Sequence, residues 1–153
     1  MRRTAFALCF VFVTAAAALG TSVHSASAGV RDGNGGEDTS SAVVNEARRW
    51  IGTNPTDLNR LWCARFMNFV LKRVGRRGTG SDLASSFASY GRRVGGPQVG
   101  AIAVMTRGNQ GGHVGVVSGI DRSGNPIIIS GNHNRRVGVG TYPRERIYAY
   151  VMP

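Results

Sequence analysis

Lysine is almost absent from this 153-residue chain: of 19 basic residues only Lys72 is not arginine. Acidic residues are also few, 8 in all, which leaves a formal net charge of +11. That excess suits an anionic partner such as a cell-wall polymer, a lipid headgroup or a nucleic acid, and it equally suits a solvated surface shaped by arginine-favouring codon use. No nucleic-acid-binding motif accompanies the charge, which argues against that partner. Long apolar runs are lacking too. The longest extends from Ala5 to about Leu19, short of the ~20 residues that a bilayer span needs. Cys9 lies inside that run behind Phe6-Ala7-Leu8, which is not a lipobox, so a lipid anchor is not expected. Cysteine is scarce, with Cys63 the only other one, and no internal repeat is present.

What stands at the start has the layout of an export signal. Arg2 and Arg3 precede the apolar run, and Ala26-Ser27-Ala28 supplies the small-residue cleavage pattern. The expected organisation is a signal peptide over residues 1–28, a flexible Gly/Asp/Ser/Asn-rich linker over 29–41 and one domain over 42–153. The protein is therefore expected in the periplasm or outside the cell, without a stable membrane anchor. There Cys63 would be the sole cysteine in an oxidising compartment. An odd cysteine implies an intermolecular disulfide, a reactive thiol or a buried inert side chain.

Periodicity divides the domain into helices followed by strands. Ala42, Val43, Ala47, Trp50 and Ile51 recur at helical spacing, ended by Gly52-Thr53-Asn54-Pro55. Trp62, Phe66, Phe69, Val70 and Val74 form a second apolar stripe, ended by Gly75. A third helix is expected over residues 81–90. Beyond Pro97 the pattern changes to β-branched runs at 101–105, 113–120, 126–130, 137–141 and 147–151, separated by Gly- and Asn-bearing turns. Helices first and strands second predict an α+β fold with an antiparallel sheet.

Cys63 falls at the expected start of the second helix, where free N–H groups and the helix dipole favour a thiolate and its own N–H can face an oxyanion. Arg60 and Arg65 add positive potential. His113 follows a Gly-rich stretch, Gly111-Gly112, and opens the longest strand. If the next loop spans 121–124, Asn132 lies opposite His113; if it spans 121–125, His133 does. Either polar side chain can then hold the imidazole.

Trp62-Cys63-Ala64-Arg65-Phe66-Met67-Asn68, Gly112-His113-Val114-Gly115 and Ser130-Gly131-Asn132 together resemble a CHAP-type domain, one of the papain-like cysteine hydrolases related to the NlpC/P60 enzymes. The similarity covers about residues 42–151 and extends to a Gly-Thr-Gly-Ser loop at Gly78-Thr79-Gly80-Ser81. It implies a papain-like α+β fold, with Cys63 as nucleophile, His113 as base and Asn132 as the orienting residue. It also implies amidase or endopeptidase activity on peptidoglycan through a thioester acyl-enzyme, needing no cofactor or metal; a monomer is expected. Trp62, Gly112 and His133 become candidate substrate or oxyanion contacts. Two departures stand out. Val99-Gly100-Ala101 replaces the usual Pro-Gly-Asp, which lowers any expectation of calcium, and Gly131-Asn132-His133 replaces Gly-Asn-Gln. Competing readings are an acyl transferase on the same chemistry, a non-catalytic wall-binding module and a basic nucleic-acid binder. An accessible thiol outside the cytoplasm is prone to oxidation, so activity is expected to rise with mild reductant.

Overall fold

The computed structural model describes residues 34–108 and 111–153, with side chains from Thr39 onward. The expected signal peptide lies outside the described residues. Two α-helices, α1 (Asn34–Arg49) and α2 (Cys63–Arg73), precede a 3-10 helix (Ala84–Ser89) and six strands. The strands are β1 (Arg92–Val94), β2 (Ile102–Thr106), β3 (Gly112–Ile120), β4 (Pro126–His133), β5 (Arg136–Thr141) and β6 (Ile147–Met152), with a short 3-10 turn (Arg144–Arg146) before the last. They form one sheet in the order β1-β6-β2-β3-β4-β5, every neighbouring pair antiparallel. The fold is α+β, as the order of patterns predicts.

α1 starts within the segment expected to be linker. Its early turns are held by tertiary contact: buried Ser40 packs so tightly on Gly100 that a Cβ there would come within 2.3 Å of the Ser40 Cβ. Val43, Val44 and Ala47 then enter the core beside α2, which buries Cys63, Ala64, Phe66, Met67, Val70 and Leu71. Glu46 pins the two helices together, accepting hydrogen bonds from Trp50 Nε1 (3.0 Å) and from Arg73 Nε. The third expected helix is a 3-10 helix. Its serines serve the loop instead of a helical ladder, with Ser86 Oγ donating to Leu83 O at 2.7 Å and Ser81 Oγ accepting from Leu83 N–H at 3.1 Å. Asn68 of α2 fixes that loop, accepting from Thr79 N–H and donating to Ser81 O, both at 2.8 Å. Gly78 is required there, since a Cβ would lie 2.1 Å from Asn68 Oδ1.

The helices cover one face of the sheet, against Ile102, Val104, Val114, Val116, Ile129, Val137, Ala149 and Val151. A smaller cluster on the other face joins Ala103, Met105, Val117, Ile128, Ile147 and Tyr150. The β3–β4 hairpin combines both expected registers. Ile120 pairs with Pro126 and Gly119 with Ile127, as a 121–125 loop requires. A bulge at Ser118 then resets the pairing to Val117↔Ile128 and Val116↔Ile129.

Candidate active site

α2 begins without a capping side chain: Trp62 occupies the cap position, and Leu61 before it has a left-handed φ of 57°. The N–H groups of this helix start are thus left without a capping side chain, and those of Ala64 and Cys63 pull the thiol's proton affinity down. A third donor comes from the sheet. Val117 faces β2, its N–H reaching Ala101 O and its carbonyl accepting from Gly100, both at 2.8 Å. Val114, an odd number of residues away, therefore points its N–H towards β4. The β3–β4 ladder stops at Val116↔Ile129, and the Val114 N–H acts on the Cys63 thiol, pulling its proton affinity down.

His113 is the residue before Val114 on β3. The His113 Nε2 lies 2.9 Å from Ser130 Oγ, while its Nδ1 is buried without a hydrogen-bond partner among the described residues. An unpaired buried acceptor is more readily tolerated than an unpaired N–H. The hydrogen bond is therefore best satisfied with Nε2–H donating to Ser130, which leaves the Nδ1 lone pair free to take a thiol proton. Tyr142 packs on the imidazole with ring centroids 6.0 Å apart.

Both members of the pair are almost sealed, Cys63 at 4% exposure and His113 at 3%. Burial raises the thiol above its usual range against the opposing pull of the Val114 and Ala64 N–H groups and of Arg107. Burial likewise depresses the imidazole to about 4, helped by Arg107, His133 and Arg146. The resting pair is thus a neutral thiol and a neutral imidazole. Among the described residues no group of three or more His, Cys, Asp or Glu side chains is arranged to hold a metal.

Other expected site residues take different places. Asn132 does not hold the imidazole; Ser130 does. Asn132 has a left-handed φ of 57° at an irregularity between Ser130 and His133, beyond the end of the β3–β4 ladder, so it is not carried into register opposite His113. Trp62 is fully buried beneath Gly131, where a Cβ would lie 2.7 Å from its ring, so its side chain is core and not a substrate contact. Gly112 is needed for packing, because a Cβ would meet Ala84 at 3.1 Å. His133 points its Nδ1 to Tyr142 Oη at 3.4 Å. Arg65 is paired with Asp82 at 2.5 Å and is spent on that contact.

Sequence reasoning missed Ser130, although a signal was present. Gly115 lies between His113 and Val117 on the same face, and a Cβ there would come within 2.8 Å of the Ser130 Cβ. The second glycine of Gly-His-Val-Gly thus clears the diagonal across which the imidazole reaches the serine.

A cleft of about 640 Å³ is lined by Asn59 and Arg60 of the segment before α2, by Arg107 after β2, and by Asn132, Asn134 and Arg135 around the β4–β5 turn. Leu61, at 59% exposure, completes its wall. Arg107 links cleft and pair, since its charge acts on both Cys63 and His113.

No curated protein and no solved structure matches the chain. The CHAP domain family matches residues 53–132, the span from the loop before α2 to the end of the site on β4. CHAP domains are generally found in peptidoglycan-hydrolysing amidases and peptidases, and this chain belongs to the CHAP domain family.

Proposed function

We propose that this protein is an exported cysteine amidase or endopeptidase that hydrolyses amide bonds of bacterial peptidoglycan, with Cys63 as nucleophile and His113 as general base. The observation that carries the reading is a buried thiol at the start of α2 on which the Val114 N–H of β3 acts, together with a histidine, the preceding residue of β3, whose Nδ1 has no hydrogen-bond partner among the described residues. Export rests on the pattern of residues 1–28.

The chemistry follows from the neutral pair. As Cys63 attacks the carbonyl carbon, its proton passes to His113 Nδ1, and the developing oxyanion is met by N–H groups at the start of α2. The imidazolium then protonates the departing amine as the C–N bond breaks, leaving a thioester on Cys63. Water, deprotonated by His113, releases the acid. Ser130 accepts from Nε2–H throughout and keeps the ring in one tautomer.

Digestion of purified peptidoglycan with residues 29–153 and with Cys63→Ala, read by mass spectrometry, tests the reading. Defined fragments from the wild type alone are expected: free stem peptides denote an amidase, shortened stems or split crosslinks an endopeptidase. Fragments from both proteins, or from neither when both are folded, contradict it.

A further inference from the structure

The cleft lined by Arg60, Arg107 and Arg135 carries more charge than its neighbours balance. None of the Arg60, Arg107 and Arg135 guanidinium groups forms an ion pair or a side-chain hydrogen bond among the described residues, whereas Arg49, Arg65 and Arg73 are all matched by a carboxylate. No acidic side chain lines the cleft. A second observation is independent of charge. Among the described residues five non-glycine positions have a left-handed backbone, and four of them, Leu61, Asn132, Asn134 and Arg135, line this one cleft. Asparagine tolerates that conformation; leucine and arginine do so only under strain, and strain of this kind concentrates where a ligand is clamped.

Arg135 shows this most clearly. His133 pairs with Arg136, so Asn134 and Arg135 form a two-residue hairpin turn with φ of 53° and 64°. Such a turn needs a positive φ at both positions, and Asn-Gly is its preferred sequence. An arginine stands where glycine would be relaxed, and it faces the cleft.

We infer that this cleft is a carboxylate-recognition subsite, in which Arg60 and Arg135 hold a free carboxylate of the peptide substrate while the neighbouring amide enters the Cys63–His113 site. Guanidinium groups suit planar carboxylates, and the three asparagine amides supply paired donors and acceptors for peptide groups. The inference rests on the peptidoglycan reading and adds a selectivity to it: substrates with a free carboxylate next to the scissile bond are preferred over amidated ones.

Binding is measured apart from cleavage. Cys63→Ala is titrated calorimetrically with a soluble muropeptide in free-carboxylate and carboxamide forms, and with a glycerol-phosphate oligomer. The carboxylate form is expected to bind about 10-fold or more tightly than the carboxamide, as for a charge-assisted hydrogen bond. Adding Arg60→Gln or Arg135→Gln removes that preference, and Arg135→Lys restores part of it. Arg135→Gly removes the preference while raising Tm, because it relieves the turn, a combination that general destabilisation does not produce. Equal affinity for the two muropeptides, no binding of either, or tighter binding of the glycerol phosphate overturns the subsite. Cleavage of both forms alike by the wild type would overturn the selectivity and leave the hydrolase standing.

Discussion

Cys63 and His113 lie behind the protein surface, and burial moves their proton affinities in opposite directions. A buried, protonated thiol is a poor target for oxidants and alkylating agents. The expectation that activity rises with mild reductant therefore reverses: storage in air should leave most activity intact, and an aromatic disulfide should label Cys63 more slowly at neutral pH than a free thiol. Rapid labelling, or a thiolate absorbance band at neutral pH, would mean that the pair is ionised at rest. Ser130 and Asn132 separate the roles of positioning and binding. Ser130→Ala removes the one hydrogen bond that the imidazole makes among the described residues and should lower kcat about 10-fold with little change in KM. Asn132→Ala should act on KM, because Asn132 lines the cleft. Steady-state kinetics on a soluble muropeptide checks both, and the opposite split would restore Asn132 as the orienting residue.

At the scale of elements, the site depends on where a ladder ends. The Val114 N–H is left to act on the thiol because the β3–β4 ladder ends at Val116↔Ile129, and β3 approaches β4 closely only because Gly115 has no side chain. Gly115→Ala would set a Cβ 2.5 Å from Ile129 O and from Ile128 Cγ2. Overpacking of this kind costs about 1–3 kcal/mol, and urea unfolding should show it together with a loss of activity larger than the loss of folded protein. The same elements show what was legible in the sequence. The strand runs were readable because β-branched residues cluster between Gly and Asn turns, and the start of α2 because the apolar stripe from Trp62 has helical period. The linker misread arose because the contact that holds α1 at Ser40 is made by Gly100, sixty residues away in sequence and invisible to local composition. Asn132 was misassigned because extrapolating either hairpin register assumes a ladder that in fact ends at Val116↔Ile129. Three-residue β1 has too short a pattern to be recognised without β6 beside it.

On the scale of the whole molecule, charge and protonation set the working conditions. His113 titrates at about 4 in the folded protein against 6.5 ordinarily, so between these values the unfolded chain binds the extra proton. Its neutral burial therefore contributes stability that is fully present above pH 6.5 and is lost as pH falls towards 4, a difference of up to about 3 kcal/mol. Urea midpoints measured across that window should fall with pH, and less steeply in His113→Gln; parallel curves would assign the pH dependence elsewhere. Lys72 at the end of α2 and Arg76 and Arg77 of the loop that follows it line a second cleft. Retention on purified cell wall should accordingly weaken from low to high salt, and salt-independent retention would rule out charge as what holds the protein there. Among the described residues no helix is long and apolar enough to cross a membrane.

The central claim is that Cys63 carries the acyl group, with His113 managing the proton. Its most direct test is an acid quench of the protein during turnover of a soluble muropeptide, followed by intact-mass and peptide mapping. An adduct of the acyl fragment's mass on Cys63, absent from Cys63→Ala and sharply reduced in His113→Ala, is the expected result. Muropeptide cleavage with no adduct on Cys63, undiminished in Cys63→Ala, would contradict it.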